Sequence, residues 1–413
     1  MRLPKRTDFP SNRREFIEDI VAGITVAIVA LPLAIGFGIT SGMSAAAGIS
    51  TAIIAGFIAA LFGGSRLQVS GPTGAMTVIL IPVISKYGVN AVPALGVIAG
   101  AMVILMAVLR LGTWINKVPH YVIEGFTLGI AVIIALQQLP MALGVAKGAG
   151  ERTLVIAYNT ALSGWKSGFN FQSIFIVIVT LIFKFNFARI LQALKIRAYV
   201  PASFAALLFG TTVAKVLRLK VAEIGDIPRN VAKFSPPDFA NWSTLLWPAL
   251  MIALLAAIES LLSARVADSM AHLPKERRLE PDQELLGQGF ATAIASIFGG
   301  QPATGAIART SVNVRARAHS RFASMVHSIM LLLVILIAAP LFSQIPAAAI
   351  AGILIGTSIR ILNPSKLAET LRTTKNEITV FFITAAATIA IDLIWGIAIG
   401  IAAQTLLRMN KRV

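Results

Sequence analysis

Long apolar runs alternate with short polar and often basic segments along the whole chain. Many of these runs approach the roughly 20 residues that an α-helix needs to cross a bilayer. Residues 143–171 are expected to form a polar loop, and residues 218–243 a structured external loop that divides the two halves. The last two spans are separated only by the short interruption from Asp392 to Gly396. In all, the pattern predicts fourteen membrane-spanning helices, at about residues 18–40, 45–62, 70–87, 91–111, 120–142, 172–187, 199–217, 244–266, 284–299, 304–317, 322–342, 346–361, 376–392 and 393–409.

The basic residues lie mostly between the apolar runs and on alternate loops. By the positive-inside rule, the basic residues at the start of the chain hold the N-terminus in the cytoplasm. Residues 1–17 and 410–413 are therefore predicted to be the cytoplasmic ends of a multi-pass protein of the cell (inner) membrane. Seven spans in each half would invert the second half relative to the first, which is the arrangement of inverted-repeat transporters.

Composition supports a membrane protein and limits the kinds of binding site that the chain can form. The chain is 56% hydrophobic and only 13% charged, whereas average proteins carry about 25% charged residues. Its net charge of +18 is explained by the loop residues, and no basic patch interleaved with aromatic residues indicates a nucleic-acid partner. The sequence has no cysteine, and its four histidines are scattered without metal-ligand spacing. We therefore predict neither a metal site nor a cofactor.

Two interrupted stretches resemble each other across the halves. The first runs from Phe62 to Met76 and the second from Phe298 to Thr310. Both begin Phe-Gly-Gly, contain a proline and reach Thr-Gly-Ala, and their offset is 305 − 74 = 231 residues. Interrupted segments at matching positions of two halves are the best sequence indication of a transporter's binding site.

Each interruption is followed by a short run that can form a helix. The start of a helix carries about half a positive charge and unpaired N–H groups, so it can bind an anion. A role for these glycines in helix packing explains one copy but not both. We therefore predict a substrate site from backbone groups of Thr73, Gly74, Ala75, Gly305, Ala306, Ile307 and Ala308.

Two charged residues lie inside apolar segments and are candidates for function. Glu259 stands in the span at 244–266, where an ionisable residue is costly and is a functional hypothesis by default. Ser263, one turn further along, shares its helix face. Arg309 lies one turn past Gly305, deeper than the basic residues that follow it. The alternatives are a structural hydrogen bond for Glu259 and an arginine that extends to the interface for Arg309.

These motifs, taken together and in this order, resemble the SulP family of anion transporters, also called solute carrier family 26. The resemblance covers nearly the whole chain. It rests on Ala30-Leu31-Pro32-Leu33-Ala34, on Phe62-Gly63-Gly64 with Val69-Ser70-Gly71-Pro72-Thr73-Gly74-Ala75, on Ala257–Asp268 and on Pro302–Thr310.

The resemblance implies an all-α membrane protein with a seven-plus-seven inverted repeat and broken half-helices 3 and 10. Residues 18–112 and 244–343 would form a core (transport) domain, and residues 113–243 and 344–409 a gate (scaffold) domain. Substrate would sit between the starts of spans 3 and 10, beside Phe37, and would cross by an elevator movement. Members commonly act as homodimers and usually continue into a STAS domain, whereas this sequence stops at Val413.

The resulting hypothesis is a secondary transporter, not an enzyme, which moves a small inorganic anion or carboxylate together with H⁺ on Glu259. Sodium-coupled bicarbonate members of the same fold tend to have Asp at this position and a hydroxyl near the start of span 10. Here the segment from Ala306 to Ala308 has no hydroxyl, so we favour the proton over Na⁺. Backbone N–H groups leave no side-chain signature, and sulfate, bicarbonate and a dicarboxylate stay open.

Other classes of protein remain as alternatives. One is an uncoupled anion channel, and another is a nucleobase carrier, which shares the architecture. A third is an intramembrane serine protease, because the segment from Gly356 to Ile359 has a Gly-x-Ser pattern. No histidine on a following span could act as its base.

Overall fold

The protein is mostly helical in a computed structural model that describes residues 5–115, 118–150, 152–193, 195, 201–225, 233–274, 277–362, 364–391 and 393–409. Residues 1–4, 410–413 and Asp392, which the sequence analysis assigned to the two ends and to the last interruption, lie outside the described residues. Short 3₁₀ turns form at Arg6–Asp8 and Val89–Ala91. The other elements are α1 (Arg13–Thr40), α2 (Ala45–Phe62), β1 (Ser70–Gly71), α3 (Gly74–Tyr87), α4 (Val92–Val108), α5 (Gly112–Ile115), α6 (His120–Gln137), α7 (Leu139–Leu143), α8 (Thr153–Ser167), α9 (Phe171–Ala193), α10 (Ala202–Val216), α11 (Trp242–Met270), α12 (Pro281–Ile297), β2 (Thr304–Gly305), α13 (Ile307–Arg315), α14 (Arg321–Ser343), α15 (Ala347–Leu362), α16 (Pro364–Thr370), α17 (Lys375–Ala390) and α18 (Leu393–Met409).

Eight helical stretches among the described residues are long and apolar enough to cross a membrane. They include α1, α2, α9, α11 and α14, and the stretches that contain α4, α6 and α15. The helices α3 and α10 and the part of α18 at Trp395–Leu407 are apolar but shorter. The predicted multi-pass helical class is confirmed, whereas the division into fourteen spans in a seven-plus-seven repeat stays a prediction.

The predicted polar loop at residues 143–171 is wrong in its middle, because α8 occupies much of it. One face of α8 is buried through Ile156, Thr160 and Gly164, which follow a four-residue spacing. Gly148 donates its N–H to the Thr160 hydroxyl at 2.9 Å, which joins the preceding loop to the helix. Thr160 and Gly164 make this face only partly apolar, so hydropathy alone does not reveal it.

A buried carboxylate joins the first helix to the start of α14. Asp19 of α1 is 0% exposed. Its Oδ1 accepts the N–H groups of His319 (2.7 Å) and Ser320 (3.3 Å), and its Oδ2 accepts the Ser320 hydroxyl (2.5 Å). N–H groups at a helix start lack partners within the helix, so this carboxylate satisfies donors that the sequence leaves unpaired.

The chain divides into two compact units. Unit 1 comprises Met1–Asn116, Arg197–Ala205 and Glu223–Ile345. Its helices approach closely through small residues, as is typical of membrane helices. A Cβ on Gly48 of α2 would collide with the carbonyl oxygen of Ala34 in α1.

Unit 2 comprises Lys117–Ile196, Ala206–Ala222 and Pro346–Val413. Within it α6 packs on α17, and α15 packs on α9 and α6. Lys184 of α9 is buried and donates to the Ile353 carbonyl at 2.7 Å and the Thr357 hydroxyl at 2.9 Å.

Candidate functional site

The structure brings the two interrupted stretches together inside unit 1. Strands β1 and β2 pair antiparallel, with Ser70 opposite Gly305 and Gly71 opposite Thr304. Beyond the pair, the N–H of Ala306 donates to the carbonyl oxygen of Val69 at 2.9 Å. Segments 231 residues apart therefore form one small sheet, and a helix leaves each strand: α3 after β1 and α13 after β2.

The first turns of α3 and α13 supply the unpaired N–H groups of the site. Helix α3 begins at Gly74 and α13 at Ile307, so each begins three or four residues later than its predicted span. The N–H groups of Gly305 and Ala306 are already engaged, because Gly305 donates to the Ser260 hydroxyl at 2.9 Å and Ala306 to Val69. The N–H groups that lack intrahelical partners belong to the first three residues of each helix. Those are Gly74, Ala75 and Met76 in α3 and Ile307, Ala308 and Arg309 in α13.

Arg309 is buried and extends from α13 to the segment that precedes α3. Only 1% of it is exposed, which excludes the interface role considered above. Its Nη2 donates to the carbonyl oxygen of Pro72 at 3.2 Å. No hydrogen-bond partner of Nη1 is found among the described residues. A Cβ on Gly71 would collide with Nη1, so the glycine leaves room for the guanidinium.

Glu259 of α11 contacts both interrupted stretches. Its Oε2 accepts the hydroxyl protons of Thr73 at 3.1 Å and Thr304 at 2.7 Å. The two hydroxyl oxygens lie 3.3 Å apart. The threonines hold equivalent positions, since 304 − 73 = 231, the same offset as the glycines.

Sequence reasoning places Thr304 at the start of the second half-helix but assigns no role to its side chain, although the shared offset with Thr73 could have identified one. The segment from Ala306 to Ala308, directly after Gly305, contains no hydroxyl side chain near the start of α13. The structure supplies that hydroxyl one residue before Gly305 instead. Thr304 lies in strand β2, whereas the helix begins at Ile307, so their side chains point in different directions. Hydropathy does not show where the strand ends and the helix begins.

Two other predicted site residues are buried in unit 1. The Ser263 hydroxyl donates to the Thr310 hydroxyl at 3.0 Å, so its described partner lies on α13. Phe37 of α1 is 7% exposed, and α1 packs on α3 and α13. The structure thus surrounds the two helix starts with α1 and α11.

The remaining chemical signals do not form a second centre. Among the described residues, no group of three or more His, Cys, Asp or Glu side chains could hold a metal ion. Ser358 of the Gly-x-Ser pattern donates its hydroxyl to the Leu354 carbonyl of its own helix at 3.0 Å.

Comparison with known proteins gives consistent results. A family model described as the sulfate permease family matches residues 16–384. The putative sulfate transporter YvdB of Bacillus subtilis is 37% identical over 398 residues, which are 94% of this chain and 73% of the relative. The bicarbonate transporter BicA of Picosynechococcus sp. is 30% identical over 409 residues, which are 95% of this chain and 70% of the relative.

Two solved structures share the fold. The transmembrane domain of a cyanobacterial bicarbonate transporter BicA superposes with a TM-score of 0.83 at 29% identity, over 94% of this chain and 98% of that one. The murine solute carrier 26 family member A9 anion transporter, in its inward-facing state, gives a TM-score of 0.81 at 16% identity, over 97% of this chain and 70% of that one. At that identity the second comparison supports the fold alone.

Proposed function

The chain belongs to the sulfate permease family, and from that premise we propose that it is a secondary active transporter of a small anion. The candidate substrates are sulfate, bicarbonate and a small dicarboxylate. The named relatives are a putative sulfate transporter and a bicarbonate transporter. The first question is where in this chain an anion would bind.

The pairing of β1 with β2 is the observation that carries the proposal. Because the strands pair, the starts of α3 and α13 are held next to each other. Two positive helix ends and a buried guanidinium provide N–H donors and positive charge in a site with little water. Arg309 Nη1 has no protein partner among the described residues and would supply a further donor. We therefore assign anion binding to the first turns of both helices together with Arg309, with Phe37 lining the site.

We assign proton coupling to Glu259. Its partners Thr73 and Thr304 are hydroxyls, which can donate to a carboxylate and accept from a carboxylic acid. Both protonation states of Glu259 can thus be satisfied without moving the backbone. A negative carboxylate repels a nearby anion, so protonation should strengthen anion binding, and by linkage the bound anion should favour protonation to the same degree.

Sodium coupling is the second candidate, and the same geometry supports it. The carboxylate of Glu259 and the hydroxyls of Thr73 and Thr304 place oxygen atoms of three side chains together. Sodium sites of transporters use such oxygen ligands and the carbonyl groups of unwound segments. Thr304 supplies an oxygen ligand that the sequence analysis had judged to be missing.

We further propose that the part of unit 1 that holds the site carries the anion as a moving body, in an elevator mechanism. Every residue assigned above to the anion or the proton belongs to unit 1. In this proposal residues 18–112 and 244–343 form the transport domain, and residues 113–243 and 344–409 the scaffold domain. The protein would act as a homodimer in the cell membrane with both termini in the cytoplasm. An uncoupled anion channel, in contrast, would give currents far above the turnover of a carrier.

The test is Glu259→Gln, which resembles the protonated side chain and cannot release a proton. We expect the variant to keep sulfate or bicarbonate binding, measured as thermal stabilisation. It should also lose the stimulation of uptake by an acid gradient in proteoliposomes. Glu369→Gln, an exposed residue of unit 2, is the matched control.

Three results would change the assignment. Full stimulation of Glu259→Gln by a pH gradient would refute proton coupling. Wild-type uptake that requires sodium and ignores pH would favour the second candidate. If none of sulfate, bicarbonate or a dicarboxylate stabilises the wild-type protein or enters proteoliposomes, the anion assignment itself fails.

A further inference from the structure

A buried carboxylate next to the loop before β1 has no role in the function proposed above. Glu284 of α12 is 2% exposed. Its Oε2 accepts the N–H groups of Gly64 and Ser65, both at 2.9 Å. Its Oε1 accepts side-chain amide protons from Gln68 at 3.0 Å and Gln288 at 2.8 Å. Four N–H donors from two segments of unit 1, the loop before β1 and helix α12 itself, therefore converge on one side chain.

The donors of Glu284 lead directly to both strands of the site. Gln288 also donates to the Ser70 hydroxyl in β1, at 2.5 Å. The Gln68 amide packs on Gly305 of β2 so closely that a Cβ there would collide with it. The carboxylate thus holds the turn before β1, and through two amides it touches β1 and β2.

The strands need such support because they are very short. A pair of two-residue strands buries little surface and has few hydrogen bonds, so it cannot hold its geometry alone. The first turns of α3 and α13 follow the strands immediately, and any shift of β1 moves the N–H groups of Gly74 and its neighbours.

We propose that Glu284 is a positioning residue for anion binding. It fixes β1 against β2 and thereby orients the first-turn N–H groups of α3 and α13 toward the same anion. Glu284 itself does not contact the anion. This inference rests on the anion site proposed above. In this proposal the half-buried Glu259 binds and releases the proton, whereas the buried Glu284 fixes the position of the backbone.

The chemistry of the four donors explains why a carboxylate is needed at residue 284. A carboxylate only accepts hydrogen bonds, on both oxygens. A glutamine of the same shape would place an NH₂ group against either the N–H groups of Gly64 and Ser65 or the amides of Gln68 and Gln288. One pair of donors would lose its acceptor. The loop before β1 would then shift, because two N–H donors would face each other.

The test compares Glu284→Gln with Ser296→Ala, a buried change on the same helix whose hydroxyl has no hydrogen-bond partner among the described residues. Sulfate and bicarbonate are the probes. We expect Glu284→Gln to raise the KM of uptake by about 10-fold to 100-fold, because a displacement of about 1 Å at a binding site has effects of this size. Uptake by Glu284→Gln should still respond to an acid gradient, and Ser296→Ala should retain the wild-type KM.

A second variant keeps the proposal testable if Glu284→Gln does not fold. Gln288→Met keeps the length of the side chain but removes the donor to Ser70, and it should raise KM in the same direction by a smaller factor. Glu284→Asp keeps an acceptor-only group and should recover part of the affinity.

The outcomes separate this inference from the anion site on which it rests. If wild-type protein takes up or binds neither sulfate nor bicarbonate, the proposed function fails first. If wild-type protein binds one of them and both Glu284→Gln and Gln288→Met retain its KM, the positioning role is wrong and the anion site stands. A loss of the pH response in Glu284→Gln with unchanged KM would also overturn it, because Glu284 would then belong to proton coupling.

Discussion

Replacing Arg309 by methionine should weaken anion binding strongly. Methionine keeps an unbranched side chain, but it is shorter than arginine and removes both the charge and the donor to Pro72. A guanidinium and an anion about 4 Å apart attract by about 4 kcal/mol at an effective dielectric constant of about 20. If water that remains in the site screens up to about half of this attraction, the loss is about 2 to 4 kcal/mol, or about 30-fold to 1,000-fold in Kd.

The same substitution should leave the protein without anion as stable as before. The buried guanidinium makes one described hydrogen bond and has one Nη group without a partner among the described residues. Apolar replacement of a buried charged group is often neutral or stabilising. We therefore expect an unchanged or higher melting temperature without anion, and a much smaller rise when sulfate or bicarbonate is added.

The assay is a titration of each anion against the melting temperature in detergent, followed by uptake in proteoliposomes. Arg315→Met is the matched control, because Arg315 is exposed on the same helix. Arg309→Lys keeps the charge but not the planar fork, and should fall between wild type and Arg309→Met. If Arg309→Met has the wild-type affinity for both anions, the assignment of the guanidinium to the site is refuted.

Three further substitutions test other parts of the structure. Thr304→Val removes the shorter hydrogen bond of Glu259 and should lower uptake driven by an acid gradient about tenfold; Thr304→Ser should restore it, and wild-type uptake by Thr304→Val would count against the assignment. Asp19→Ala removes the acceptor at the start of α14 and should cost about 2 to 4 kcal/mol of stability. A wild-type melting temperature would contradict this role. Gly48→Ala would place a methyl group on the carbonyl oxygen of Ala34, so we expect aggregated protein in size-exclusion chromatography; a monodisperse wild-type profile would disprove the close packing of α1 and α2.

Much of the helical architecture could be predicted because the bilayer demands it. A chain in hydrocarbon must satisfy its backbone within helices, so long apolar runs specify helices almost without further information. The repeat of Thr-Gly-Ala at an offset of 231 residues also predicted which two stretches belong to one site. This repeat can be recognised in the sequence because the backbone geometry of the two stretches depends on glycine and proline residues.

The details of the site could not be predicted because they depend on contacts between distant segments. Hydropathy marks Glu259 as unusual but does not reveal that its partners are Thr73 and Thr304. Glu284 escaped notice for a related reason. It stands near the start of a helix, where acidic residues are ordinary, and only the folded chain shows that four donors surround it.

The pairing of β1 with β2 also has a consequence for the order in which the protein is made. The backbone of Val69 donates to the Thr310 hydroxyl and accepts from the N–H of Ala306, so polar groups of the first half are satisfied only by the second. During synthesis strand β1 therefore stays unpaired until more than 230 further residues have emerged from the ribosome. Until then the nascent chain lacks one of the two helix starts that form the proposed site.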